Sequence, residues 1–269
     1  MEFRDVTQDL KSDLTKVEEA INQNYKSDLP LIPGISSYLM SCGGKRIRPM
    51  LVLLGAKLCG RETDDTVVKH GCAVEYLHAA TLLHDDVVDD AELRRGWPSI
   101  NRVWKNKLSI LVGDFMFSKA LTNMIHLKDF DALEILSSTA ERLSQGEINQ
   151  IEKAIKKNMT KDIYHQMVSD KTASLFSAAC KLGAMTVTEN QDQRHALEQF
   201  GEKFGLVFQI KDDLLDIMGT VDGLGKSAGF DLKKNILTLP LIHLFENLNP
   251  YERTKIRRKL KNHIIKSEL

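Results

Sequence analysis

Apolar residues return along this chain at the period of an α-helix. Val6, Leu10, Leu14, Val17 and Ile21 recur at intervals of four, four, three and four, which places them on one stripe of an amphipathic helix. The stretch from Pro49 to Leu58 is apolar and follows the Gly43-Gly44 turn. Residues 66–90 carry a long helical pattern, and residues 107–125, 130–157, 161–186 and 191–218 continue it. Strand-like alternation is absent. Six prolines and sixteen glycines punctuate the chain, mostly between periodic segments. The pattern predicts an all-α fold, with residues 1–269 forming one domain built as an antiparallel helical bundle.

Composition narrows the function classes. With 42% hydrophobic residues the chain can bury a sizeable core. The 37 Lys and Arg balance the 37 Asp and Glu, so no global field recruits nucleic acid or anionic lipid. Cys42, Cys59, Cys72 and Cys180 have neither C-x-x-C nor zinc spacing and read as reduced cytosolic thiols. The charged start MEFRDVTQDL has no apolar core of the kind a secretory signal carries. No uninterrupted apolar run reaches the ~18 residues of a membrane span. A cytoplasmic location without a transmembrane segment is the expectation.

Two acid clusters carry the chemistry. Asp85-Asp86-Val87-Val88-Asp89 and Asp212-Asp213-Leu214-Leu215-Asp216 both read D-D-x-x-D inside helix-period apolar sequence. A single copy would read as a charged turn. Two copies flanked by Leu, Val and Ile suggest carboxylates facing a cavity, where unpaired charge is too costly without a cation. Asp85 and Asp89 are i and i+4 and share a face, as do Asp212 and Asp216. Asp86 lies about 100° round the helix from Asp85. The immediate expectation is a polynuclear Mg²⁺ site that holds phosphates.

Basic residues extend the picture. Arg94-Arg95-Gly96 follows the first cluster, and guanidinium groups there would share phosphate charge with the metal. Gln209 lies three residues before Asp212, on nearly the same face. Downstream, the Gly223–Gly229 loop with Lys226 suits close backbone approach to phosphate, though its spacing is not that of a P-loop. Gly43-Gly44-Lys45-Arg46-Ile47-Arg48-Pro49 packs three cations before an apolar helix, an anion site by charge and helix dipole. Lys171-Thr172 interrupts an apolar helix, where a lysine needs an anionic partner. His78 precedes Asp85 by two helical turns, and core packing and substrate contact weigh evenly for it.

Together these residues resemble the trans-isoprenyl diphosphate synthases, or polyprenyl synthetases. The likeness spans roughly residues 40–245 through GGKRIRP, LLHDDVVDDAELRRG, LVGDFMFSKA, SDKTASLF and FQIKDDLLDIMGT. Within the family the chain is most similar to bacterial long-chain members of the octaprenyl or nonaprenyl kind. The resemblance implies an all-α isoprenoid synthase fold around a deep central cavity, usually homodimeric. It implies Asp85, Asp89 and Asp212 as metal ligands, supported by Asp86 and, in the outer shell, Asp213 and Asp216. It implies three Mg²⁺ ions bound with the allylic diphosphate. Arg94, Lys171, Thr172, Gln209 and Lys226 match positions holding that diphosphate. Lys45, Arg48, His78 and Arg95 match the isopentenyl diphosphate pocket. Asp85, Asp89, Asp212, Arg94 and Lys171 would be the catalytic set.

One departure stands out. The family commonly carries D-x-x-x-G-K-x-T-L-P after the second cluster, and here Asn235-Ile236 occupies the Gly-Lys position. The expected reaction is ionisation of the allylic diphosphate, attack by the double bond of isopentenyl diphosphate, and proton loss to the released diphosphate. The product tail would grow back along the helix bearing Asp85. Ala80 and Thr81 are small and leave that path open, so a product longer than farnesyl is favoured, with Tyr76 and Leu77 as the deeper wall. Such a product would supply quinone side chains and bring at most a loose membrane association. The alternatives are a farnesyl or geranylgeranyl diphosphate synthase and a non-catalytic subunit of a heteromeric synthase. A terpene cyclase would lack a second diphosphate site, so Lys45, Arg48 and Arg95 argue against it.

Overall fold

The computed structural model describes residues 3–24, 28–156, 158–218, 237–249 and 251–256. Helices dominate it, as the periodicity predicts. In chain order they are α1 (Phe3–Asp9), α2 (Lys11–Asn24), α3 (Leu31–Ser41), α4 (Ile47–Leu58), α5 (Asp65–Val88), α6 (Ile100–Leu127), α7 (Phe130–Lys156), α8 (Lys161–Val168), α9 (Ser174–Met185), α10 (Gln191–Met218) and α11 (Leu239–Glu246). The predicted segments match the later helices within a few residues, except that α6 begins well before residue 107. Its extra length includes a break at Lys105, where φ is 73°.

The centre of the bundle is α5. Asp64 caps it by accepting a hydrogen bond from the Val67 amide at 3.0 Å. Its sequence is apolar on nearly every side, the mark of a helix enclosed by others. It packs most extensively along α6 and also against α2, α4 and α9. Val17 and Ile21 of α2, Leu53 of α4, Leu77 and Leu83 of α5, Met116 of α6 and Phe176 of α9 are all closed to solvent in one continuous core. By length and composition α6 could cross a bilayer, but Val112, Met116, Ala120 and Met124 are buried within the bundle.

Two departures from regular helix shape the site. A two-stranded antiparallel ladder, Leu93–Arg94 with Trp97–Pro98, follows α5 where no strand is expected. Its two-residue loop holds Arg95 at φ 53° and Gly96 at φ 82°. Positive φ at both central positions suits the right-handed twist of a tight hairpin. Between α8 and α9 the chain makes a π-helical turn, Ser169–Ala173, carrying Lys171 and Thr172. Two glycines admit that turn. A Cβ on Gly146 of α7 would lie 2.7 Å from the Lys171 amide nitrogen, and one on Gly205 of α10 would lie 2.5 Å from the Ala173 Cα.

Candidate active site

A cationic cavity of about 550 Å³ opens beside α5. Lys45 and Arg46 line it from the turn before α4, Arg48 from the first turn of α4, Glu75 and His78 from α5, Arg95 from the hairpin and Phe208 from α10. Four cations face one carboxylate, so the cavity demands an anion. Arg46 stands apart from the other three. Its Nη1 donates to Glu75 at 2.9 Å and its Nε to Glu18 of α2 at 3.1 Å, which ties the loop to the bundle. Arg95 donates to the Gly43 carbonyl, which ties the hairpin to the turn before α4.

Arg48 is the most confined of these cations. Burial pulls its guanidinium pKa down to about 10. Its Cζ lies 4.5 Å from the centroid of the Phe176 ring, and its Nη1 is 3.0 Å from His78 Nε2. Its Nε is buried without a hydrogen-bond partner among the described residues. An unsatisfied guanidinium donor is costly, and an anion in the cavity would repay that cost. His78 sits well below the ordinary imidazole pKa, first through burial and then through Arg48, Arg95, Arg94 and Arg46. A neutral His78 accepts from Arg48 through Nε2.

The first acid cluster lies at the far end of α5. Asp85 is pushed up to about 6, mainly by burial, with Glu147 and Asp89 adding to the rise while Lys171 and Arg94 oppose it. A carboxylate so placed gains from a cation. Asp86 differs from its expected role. It is 2% exposed, and both its oxygens accept from Arg94: Nε at 2.8 Å to each, Nη2 at 2.5 Å to Oδ1. The 100° step between consecutive residues turns Asp86 away from Asp85 and toward the hairpin. It is the anchor of Arg94 rather than an available metal ligand.

The second cluster divides in the same way. Asp212 is exposed and Asp216 half-buried, while Asp213 is buried. Asp213 accepts from the Tyr164 hydroxyl at 2.6 Å and from Gln209 Nε2 at 2.8 Å. Gln209 in turn accepts from the Thr172 hydroxyl at 2.9 Å. Gln209, Thr172 and Asp213 thus form a chain of hydrogen bonds that fixes α10 to the π-turn, in place of outer-shell duty for Asp213. Lys171 projects from this turn to Glu147 and Gln150 of α7.

A second cavity, of about 380 Å³, lies on another side of α5. Ala80, Thr81 and His84 line it with Asp114 and Phe117 of α6 and Ser137, Ala140, Glu141 and Ser144 of α7. Ala80 and Thr81 are therefore where the sequence expects open space. Tyr76 is not a wall of it: its hydroxyl donates to the Ile21 carbonyl at 2.9 Å, on the α2 side. Leu77 is enclosed in the main core and is likewise absent from the lining. Lys226, the glycine-rich loop and Asn235-Ile236 lie outside the described residues.

The donor set suits a divalent metal brought by its ligand. Among the described residues no three His, Cys, Asp or Glu side chains converge into a ready cage. Mg²⁺ is ordinarily held by one or two carboxylates together with phosphates and water, so a cage is not required. Asp85 in the last turn of α5 and Asp89 at its C-cap, with Asp212 and Asp216 on α10, fit that mode. Sequence reading gave Arg46 no role of its own and passed over Glu75, Phe208, Glu147, Gln150 and Tyr164. A lone glutamate in the apolar run of α5 was a signal for Glu75, and Arg46 stood inside the basic motif. Nothing local marked Tyr164.

Comparison with known proteins gives the family. Residues 30–268 match the family model described as polyprenyl synthetase. The chain is 38% identical over 263 residues to all-trans-nonaprenyl-diphosphate synthase (geranyl-diphosphate specific) of Rhodobacter capsulatus, covering 96% of this chain and 79% of that protein. It is 36% identical to octaprenyl diphosphate synthase of Escherichia coli, covering 91% and 76%. Polyprenyl synthase of Caulobacter crescentus, solved with calcium and isoprenyl diphosphate, superposes with a TM-score of 0.88 at 34% identity over 97% of this chain and 84% of that one. Fold, acid clusters, cationic cavity and sequence likeness converge: the chain belongs to the polyprenyl synthetase family of trans-prenyltransferases.

Proposed function

We propose that this enzyme condenses isopentenyl diphosphate with an allylic diphosphate, repeatedly and in trans, to a long-chain polyprenyl diphosphate for quinone side chains. The observation that carries it is the placement of two cavities about α5, one cationic at His78 and one behind Asp85 at Ala80 and Thr81. Lys45, Arg48 and Arg95 hold isopentenyl diphosphate in the first cavity, with neutral His78 bracing Arg48. Arg94, aimed by Asp86, and Lys171, carried on the π-turn, hold the allylic diphosphate. Asp85, Asp89, Asp212 and Asp216 would hold the Mg²⁺ ions, three by the family resemblance, together with the allylic diphosphate. When bound, these cations supply positive charge to the departing diphosphate, which eases ionisation. The side chains then keep the two substrates in register and shield the allylic cation from water. The released diphosphate takes the proton. The enzyme works in the cytoplasm as a homodimer.

The test is an assay of the purified chain with farnesyl and isopentenyl diphosphates, with and without Mg²⁺, followed by measurement of product length. A Mg²⁺-dependent product longer than farnesyl is expected, with turnover abolished in Asp85→Ala while its circular dichroism stays unchanged. Near-normal turnover in that variant would refute the metal role of Asp85. No product from the chain alone would favour the reading as one subunit of a heteromeric synthase.

A further inference from the structure

Glu147 belongs to none of the roles above, yet it occupies a revealing position. It lies on α7 one residue after Gly146, where the close approach of the π-turn brings Lys171 against the helix. The Lys171 ammonium meets Glu147 Oε2 and donates to Gln150 Oε1 at 3.2 Å. Both side chains of the ion pair are largely covered, Lys171 at 26% and Glu147 at 16% exposure. Glu147 Oε2 is shut off from solvent and has no well-directed hydrogen bond. The lysine therefore supplies most of what offsets the burial of this carboxylate. Asp85 lies within electrostatic reach of both, favoured by Lys171 and disfavoured by Glu147.

We propose that Glu147 is a positioning residue that stores the Lys171 ammonium until a diphosphate claims it, and so couples diphosphate capture to cation capture at the first acid cluster. This rests on the prenyltransferase reading, which brings a diphosphate to Lys171. A diphosphate competes with Glu147 for the ammonium, and a flexible lysine stem permits the exchange. Once Lys171 has turned to the diphosphate, Glu147 is a covered, uncompensated carboxylate within electrostatic reach of Asp85. Such a cluster is relieved by a divalent cation. Diphosphate without metal must break the stored pair and leave that charge bare. Diphosphate with metal does not. Each ligand then strengthens the other by the same factor.

Calorimetric titration of the full chain with inorganic pyrophosphate, in EDTA and in saturating Mg²⁺, tests this without relying on turnover. In wild type, Mg²⁺ should tighten pyrophosphate binding at least ~10-fold, within the usual range of coupling between sites. Glu147→Gln keeps the side-chain size and removes the stored charge. It should bind pyrophosphate ~5-fold or more tightly than wild type in EDTA, with the Mg²⁺ enhancement reduced by a similar factor. Equal metal-free affinity and equal enhancement in the two proteins would overturn the proposal. Lys171→Gln gives a second arm should Glu147→Gln fold poorly. With the stored ammonium gone, Mg²⁺ alone should bind more tightly than to wild type; unchanged or weaker Mg²⁺ binding would overturn it. If wild type binds no pyrophosphate under either condition, the diphosphate-site reading falls and this proposal falls with it.

Discussion

At the scale of single residues, consecutive aspartates do different work. Asp85 is a covered carboxylate in want of a cation, whereas Asp86 is spent on Arg94. Removing Asp86 frees the Arg94 guanidinium from the carboxylate that aims it. Asp86→Ala should lower kcat/KM for the allylic substrate ~100-fold, the scale of a misplaced positioning group. A double-mutant cycle with Arg94→Ala should give a coupling of roughly 0.5–3 kcal/mol, and additive losses would refute the anchor role. His78 offers a pH signature. Its folded pKa lies below the ordinary 6.5 because it is buried among arginines. The unfolded chain takes up a proton there that the folded one refuses. Stability is therefore fully present above about 6.5 and is lost as pH falls below it, by up to ~1.4 kcal/mol per pH unit. Thermal unfolding between pH 5 and 7.5 should show that slope in wild type and a shallower one in His78→Asn. The residue types of the site were legible in sequence because metal and phosphate chemistry demands them. The partners were not, since Asp86 with Arg94 and Gln209 with Asp213 depend on how far each helix has turned.

Elements explain where the periodicity was sufficient and where it failed. Long amphipathic stripes located α2, α7 and α10, because burial of one face dictates the pattern, whereas α5 was marked by an unbroken apolar run. The π-turn at Ser169–Ala173 left no such trace, for its extra residue is accommodated by glycines on two other helices. The hairpin after α5 was equally hidden: two residues per strand are too few to alternate. Gly146 decides how closely α7 meets the π-turn. Alanine is favoured over glycine by about 1 kcal/mol in a helix interior, but a Cβ here would sit 2.7 Å from backbone nitrogen, which cannot give way like a side-chain tip. Overpacking should win. Gly146→Ala is expected to lose about 1–3 kcal/mol in denaturant unfolding and to weaken pyrophosphate binding. Gly34→Ala in α3, with nothing within 4 Å of its Cβ, should be neutral or stabilising.

For the molecule as a whole, α5 is a partition. His78 faces the cationic cavity, and Ala80 with Thr81 faces the second cavity only two or three residues further along. Filling that second space should shorten the product. Ala80→Phe is expected to shift chain length downward by chromatographic analysis while the first condensations proceed, and an unchanged length distribution would remove this cavity from the tail's path. Sequence placed Ala80 and Thr81 there, since both lie about one turn before Asp85. It misplaced Tyr76, whose polar tip found the α2 backbone instead. The partition carries a kinetic consequence. Under the proposed function, an incoming five-carbon unit and the finished part of the chain would occupy separate rooms, so neither would crowd the other as the product lengthens. Successive additions should run at nearly constant speed and then slow abruptly, leaving few half-grown products and a narrow final distribution.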